Sequence, residues 1–535
     1  MASSRDEVMT IEILARRALE HPDRVFAVFP DGEEWTYART ADEAWRTANA
    51  LRARGISEGD HVSVWFPGGK DGVRVFFGVL AAGAVFAPLN LAYRGRLLEH
   101  ALNVTASWFL VAHTELLPRL EGLDVPNLRT IVSVGPGRDK PMTVNGIDVI
   151  GDDDLRSDNT RQPELEHPRG PWDHMCLMFT SGTTGPSKGV HQSYTFYDEF
   201  CEGIVRITAE DRISMAPAPI FHNGWPLYLQ GALRKGGSVF VTDRFRPSTF
   251  WDEARKHGVT VAYLVGTMAH ALLKNPPSAD DRNHPMRRIN MAPNTPDNKE
   301  FERRFGLLPT SGYGSTEVGY PIRTTDPGVR DPTTCGKVRA GYAARIVDAF
   351  DQEVPVGEVG ELIVRSDRPW ALCSGYKDMA EATVELYRNG WLHTGDAFRR
   401  DEDGYYYFVD RMKDVIRRRG ENISSVEVES EVLTHPAVAK VAAYGVPDPH
   451  SQEEVMVAVE PKPGALVEPR QLAEFLIERL PHYMVPRYIV IHEKLPLTAT
   501  ERVRKPELRD EGVTANTWDR EAEGIVLSGQ RLTPE

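Results

Sequence analysis

The sequence predicts an α/β protein with a largely parallel sheet that ends in a small α+β domain, and three observations carry that reading. From residue 11 to about 164, helical patterns such as residues 40–54 alternate with short apolar runs such as 61–66 and 84–88, the signature of strand–helix–strand units. The alternation resumes beyond residue 190, with strand candidates at 238–242 and 259–265. Between residues 334 and 364 the texture changes to short β-like runs separated by glycines, which predicts a small β subdomain. After the aromatic stretch at 405–408, a break at residues 411–413 separates a compact α+β pattern over 414–510 from everything before it.

Each segment fits this frame. Residues 75–89 form the most apolar run, but it is too short for a membrane span and contains Gly78, Gly83 and Pro88. It reads as a buried helix passing into a strand. Residues 155–171 are polar and proline-containing and read as a surface linker, and 511–535 read as a polar tail. The domain expectation is therefore 1–410, a junction at 411–413, 414–510, and a tail. A chain of 535 residues is well above the size at which single cores split.

Composition excludes several functions. The net charge is −14 and the basic residues are spread along the chain, so no polyanion-binding footprint is present. Cys176, Cys201, Cys335 and Cys373 lie far apart without Cys-x-x-Cys spacing, which argues against a disulfide framework or a zinc site and fits a reducing cytoplasm. The first ten residues are polar and lack the apolar core of a signal sequence.

The densest chemistry lies at residues 179–190. Gly182, Gly185 and Gly189 allow tight backbone geometry, the hydroxyls of Thr180, Ser181, Thr183 and Thr184 can bond phosphate oxygens, and Lys188 adds charge. This is a phosphate-gripping loop, although not the NTPase P-loop, because Ser187 precedes the lysine and Gly189 follows it. A second segment, Tyr313, Gly314, Ser315, Thr316 and Glu317, offers an aromatic face, a hydroxyl and a hard carboxylate suited to magnesium. A third, residues 390–396, ends in Asp396, and a carboxylate can accept two hydrogen bonds from a ribose. As a bare string this third segment is equally a strand end followed by a turn.

Together these residues resemble the signature of the adenylate-forming (AMP-binding) superfamily, and in particular its acyl-CoA ligase branch, such as the crotonobetaine/carnitine and the fatty or aromatic acid ligases. The resemblance implies a large N-terminal domain of two α/β subdomains plus a β subdomain, and a small mobile α+β C-terminal domain. It also implies two half-reactions: a carboxylic acid and ATP give an acyl-adenylate, and coenzyme A then takes the acyl group. Thr180 and Glu317 would hold Mg2+, Lys188 and Thr316 phosphate, Tyr313 adenine, and Asp396 with Arg411 the ribose. Ala292 and Pro293 resemble the segment along the adenine and acyl pocket, but Asn290 and Met291 replace smaller residues there. Lys413 would be the hinge pivot, and Gly420 would open the pantetheine tunnel. His222 would sit beside the acyl carboxylate. Phe221, Trp225, Tyr263, Met291, Val318 and Tyr320 would line a pocket for a sizeable apolar acid. Arg417, Arg418 and Arg419 read as a solvated edge strand, or as a grip on coenzyme A phosphates.

One segment departs from the pattern. Relatives carry Gly-Lys where this chain has Glu501 and Arg502, and that lysine is the cation that bridges carboxylate and α-phosphate in adenylation. Arginine is planar and directs its donors differently, and the adjacent glutamate adds negative charge where two anions meet. The expectation is a coenzyme A ligase that is impaired in its first half-reaction and competent in its second, fed with adenylate by a separate enzyme. An ordinary two-step ligase with an unusual catalytic arginine is the alternative, and a non-catalytic nucleotide-binding protein is the alternative of another class.

Overall fold

The computed structural model describes residues 5–136, 142–180, 187–204, 206–216, 218–291, 298–324, 334–412, 415–419, 421–448, 452–497, 503, 505–525 and 527. Among these residues, two mixed sheets flanked by helices form the bulk of the N-terminal domain. The larger runs in the order 375–376, 188–193, 174–180, 85–88, 61–65, 109–113, 130–134, 147–150 and 142–144. Its interior pairings from 174–180 through 147–150 are parallel, and antiparallel hairpins close both ends. The second sheet runs 288–291, 261–264, 212–214, 238–240, 25–28 and 34–36, parallel except at the last pair.

The local expectations hold closely. The pattern at 40–54 is the helix Tyr37–Ala53, capped by the Thr36 hydroxyl, which accepts from the Arg39 amide at 3.2 Å. The apolar run at 75–89 is the end of the buried helix Lys70–Ala81 and the strand Val85–Pro88. That helix carries a buried charge pair, Arg74 and Asp71 at 2.6 Å, and Arg74 is also held by Asp152. Its Gly72, with Gly68 just before the helix, leaves room for the Trp225 ring. A Cβ at these glycines would lie 2.7 and 2.5 Å from the indole.

The expected β subdomain is larger than residues 334–364. Strands Tyr342–Val347 and Gly360–Ser366 continue into Leu392–Arg400 and Tyr406–Arg411 in one antiparallel sheet. The Asp396 segment is therefore the middle of a strand and not a strand end with a turn.

The small domain is built on the hairpin Val438–Asp448 and Gln452–Pro461, with Tyr488–Ile491 parallel to the second arm. Two sequence expectations change here. Residues 511–525 are not a polar tail. The short strand Trp518–Asp519 pairs with Tyr488–Ile491, and Arg520, 1% exposed, donates to the carbonyls of Pro486 and Ile525. Nor is 417–419 a solvated edge. Arg418 is 5% exposed and pairs with the fully buried Glu454 at 2.6 Å, while Arg419 turns outward with φ of +52°.

The two domains meet closely. Asn90 donates to the Tyr483 hydroxyl at 2.9 Å, Arg94 to the Ile477 carbonyl at 3.1 Å, and Ser187 to Glu427 at 2.6 Å.

Candidate active site

Strands His174–Thr180 and Lys188–Ser193 pair antiparallel, with Thr180 opposite Lys188. Ser181, Gly182, Thr183 and Thr184 lie outside the described residues. The Lys188 ammonium sits 4.4 Å from the centroid of the Tyr376 ring, a cation–π contact. The Tyr376 hydroxyl donates to one oxygen of Glu317 at 3.2 Å, and the Ser315 hydroxyl to the other at 2.9 Å.

Tyr376 thus joins the first motif to the second, and sequence reasoning missed it. The strand Gly375–Tyr376 is two residues long and carries no motif. Its position is set by pairing with Val190 and His191. Gln192, also missed, donates to the Thr316 carbonyl at 2.6 Å and accepts from the Tyr197 hydroxyl at 2.7 Å, which ties the hairpin to the Glu317 turn.

Glu317 is half-buried and held by two neutral hydroxyl donors. A hard carboxylate suits Mg2+, which takes few protein ligands beside substrate phosphates, and Thr180, the other expected ligand, ends its strand opposite Lys188. No group of three or more His, Cys, Asp or Glu able to hold a metal is found among the described residues.

Where the second and third segments meet, the Tyr313 hydroxyl donates to Asp396 at 2.6 Å, with both side chains buried. Phe398 meets the Tyr313 ring edge-on at 4.8 Å. Gly314 is forced by packing, since a Cβ there would lie 2.2 Å from the Gly319 carbonyl. Arg411 is opposite Asp396 in the sheet, which brings the two expected ribose residues into one register. Ala292 and Pro293 lie outside the described residues. Just before them, Asn290 donates to the Tyr320 hydroxyl at 3.4 Å.

His222 is accessible yet sits deep in the surrounding protein, and the resulting desolvation lowers its pKa. Its Nδ1 accepts from the Gly224 amide at 3.2 Å, which leaves Nε2 as the protonated nitrogen of the neutral ring. The acyl-pocket candidates divide among different surroundings. Trp225, Tyr263 and Tyr320 share one core with Phe221 against it, and Tyr263 stacks on Tyr228 at 4.6 Å. Met291 belongs to a second core and Val318 to a third. Lys413, Gly420, Glu501 and Arg502 lie outside the described residues.

Comparison with known proteins decides the family. The AMP-binding enzyme family matches residues 14–377, and the AMP-binding enzyme C-terminal domain matches 427–502. The chain belongs to the acyl-CoA ligase family of AMP-binding enzymes. It is 31% identical to a feruloyl-CoA synthase of Amycolatopsis sp over 502 residues, covering 92% of this chain and 97% of the relative. It is 29% identical to a crotonobetaine/carnitine–CoA ligase of Salmonella arizonae, covering 89% and 93%. Among solved structures, an amide bond synthetase from Marinactinospora thermotolerans superposes with a TM-score of 0.79 at 27% identity, covering 93% of this chain and 99% of the other. The o-succinylbenzoate CoA synthetase of Bacillus subtilis gives 0.81 at 24% identity, covering 95% and 99%, a likeness of fold. Members of this ligase family use ATP and coenzyme A.

Proposed function

We propose that this ligase transfers the acyl group of an acyl-adenylate to coenzyme A and that its own adenylation of free acids is weak. The observation that carries this is the pair Glu501 and Arg502 inside an otherwise intact set of motifs. Further support comes from Lys505, the nearest lysine after that pair. Its ammonium bonds the Ser425 hydroxyl at 2.7 Å and Glu429 at 2.6 Å, so it is already engaged inside the small domain.

In the transfer, the thiol sulfur adds to the acyl carbonyl, the bond from carbonyl carbon to phosphate oxygen breaks, AMP leaves with that electron pair, and the thiol proton passes to water. Asp396 and Tyr313 hold the nucleoside, Lys188 the phosphate, and His222 orients the acyl carbonyl. Gly420 admits the thiol and Lys413 lets the small domain turn. Glu317 and Thr180 would hold Mg2+, which when bound would neutralise charge on the polyphosphate in adenylation. The acid is apolar and sizeable, and a separate ligase supplies its adenylate.

A panel of free acids with ATP, and of synthetic acyl-adenylates without ATP, each with coenzyme A and mass detection of the thioester, tests this. The wild type should convert an adenylate but not the matching acid. The double variant Glu501→Gly, Arg502→Lys should gain acid-plus-ATP activity by about 10²–10³, the usual worth of a well-placed electrostatic donor, with its adenylate rate unchanged. Efficient turnover of free acid by the wild type, equal to that of the double variant, establishes the ordinary two-step ligase instead.

A further inference from the structure

We propose that Glu427 is a positioning residue that occupies Ser187 in place of a phosphate group, so that pyrophosphate and the docked small domain exclude one another at the base of the phosphate loop. The proposal rests on the ligase reading and adds to it a physical link between the two half-reactions.

Ser187 closes the loop and immediately precedes Lys188. Glu427 comes from the helix Ser425–Val432 of the small domain. The serine hydroxyl donates to the glutamate oxygen at 2.6 Å, and the Ser187 backbone amide bonds the same carboxylate. The Ser187 carbonyl meets the His100 Nε2 at 2.9 Å, and the Tyr93 hydroxyl lies 3.3 Å from the serine oxygen. Every polar group of this serine is therefore engaged, and both of its donors are directed at the carboxylate.

The pair is sealed from water, with Ser187 and Glu427 each 3% exposed. Burial pushes Glu427 up to about 7, with the Ser187 bonds pulling against it. A carboxylate is costly in such a place unless the surface it meets is built to receive an anion. A loop made to grip phosphate is such a surface. An N–H and an O–H that serve Glu427 cannot at the same time serve a phosphate oxygen, because each donor carries one hydrogen. Departure of pyrophosphate would free Ser187 for Glu427, and docking would in turn bar its return.

The probe is magnesium pyrophosphate, and the first readout is amide hydrogen exchange over residues 425–432 in the full chain, which needs no turnover. Pyrophosphate should raise exchange there in the wild type. In Glu427→Ala the helix should exchange about ten-fold or more faster from the start, the usual worth of a charge-assisted bond, and pyrophosphate should add nothing. Ser187→Ala, made in the other domain, should reproduce this, and Glu427→Gln, which keeps an acceptor, should restore both protection and response. In thioester formation from a synthetic adenylate, Glu427→Ala should lower kcat at unchanged KM for the adenylate. An unaltered pyrophosphate response in Glu427→Ala and Ser187→Ala overturns the proposal. A wild type that makes no thioester from any adenylate overturns the ligase reading alone, because the exchange experiment still decides this one.

Discussion

His191→Gln should make the phosphate-loop hairpin resistant to mild acid. His191 is stacked between two other imidazoles, 4.0 Å from His174 and 5.6 Å from His61, with interplanar angles of 19° and 1°. Burial, then the neighbouring His174 and His61 and the cation Lys377, depress His191 to about 3. Burial likewise takes His61 to about 4 and lowers His174. The sign follows from linkage. In the unfolded chain an imidazole titrates at about 6.5, so below that pH the unfolded state binds a proton that the folded state refuses, and stability falls as pH drops toward the folded value. At pH 5 the gap from 6.5 is about 1.5 units, and at about 1.36 kcal/mol per unit a ring held as low as His191 removes about 2 kcal/mol. Glutamine has no proton to take up. Between pH 8 and pH 5 the wild-type hairpin should therefore lose about 2 kcal/mol more than the variant. The assay is the opening free energy of amides in His174–Thr180 and Lys188–Ser193 from hydrogen exchange at the two pH values, corrected for intrinsic rates. A variant whose loss matches that of the wild type to within about 0.5 kcal/mol would show that the stack does not control the acid response, and the linkage argument fails.

Two further outcomes follow from the described geometry. Glu317→Ala, made in the Glu501→Gly, Arg502→Lys background able to adenylate, should weaken the magnesium dependence of ATP use, and an unchanged magnesium titration would remove Glu317 from the metal site. Asp152→Ala leaves the buried Arg74 with Asp71 as its remaining carboxylate partner. Breaking such a pair costs about 3–5 kcal/mol, or about 4–6 °C in the melting of a domain of roughly 400 residues. Calorimetry of the N-terminal transition measures it, and a shift below about 1 °C refutes the estimate.

Much of the architecture was legible because it is local. The buried helix and strand at 70–88 announce themselves by an apolar run, and the helix Tyr37–Ala53 by its periodicity and its Thr36 cap. The candidate site was legible as a cluster of neighbouring groups where motifs are contiguous, as at Tyr313 and Glu317. It was not legible where a residue arrives through pairing alone. Tyr376 reaches Lys188 and Glu317 because a two-residue strand pairs with His191 and Val190, a long-range contact with no local pattern. Residues 511–525 misled for a related reason. Their polarity reads as tail, yet Arg520 is buried by bonding to backbone carbonyls, which hydropathy does not register.

The engagement of Lys505 joins the two proposals. A cation that replaced the missing lysine would have to leave the Ser425 hydroxyl and Glu429, and both belong to the helix Ser425–Val432 that carries Glu427. Glu429 also accepts from the Ala443 amide at 2.8 Å, which ties the helix to the strand Val438–Asp448. Drawing Lys505 toward an α-phosphate would strip a half-buried carboxylate of its counter-charge and loosen the helix that docks against the phosphate loop. Rescue of adenylation by Lys505 would therefore come at the expense of the docked arrangement. In the Glu501→Gly, Arg502→Lys variant Lys505 need not leave Ser425 and Glu429, so adenylation should rise while protection of residues 425–432 stays as it is in the wild type.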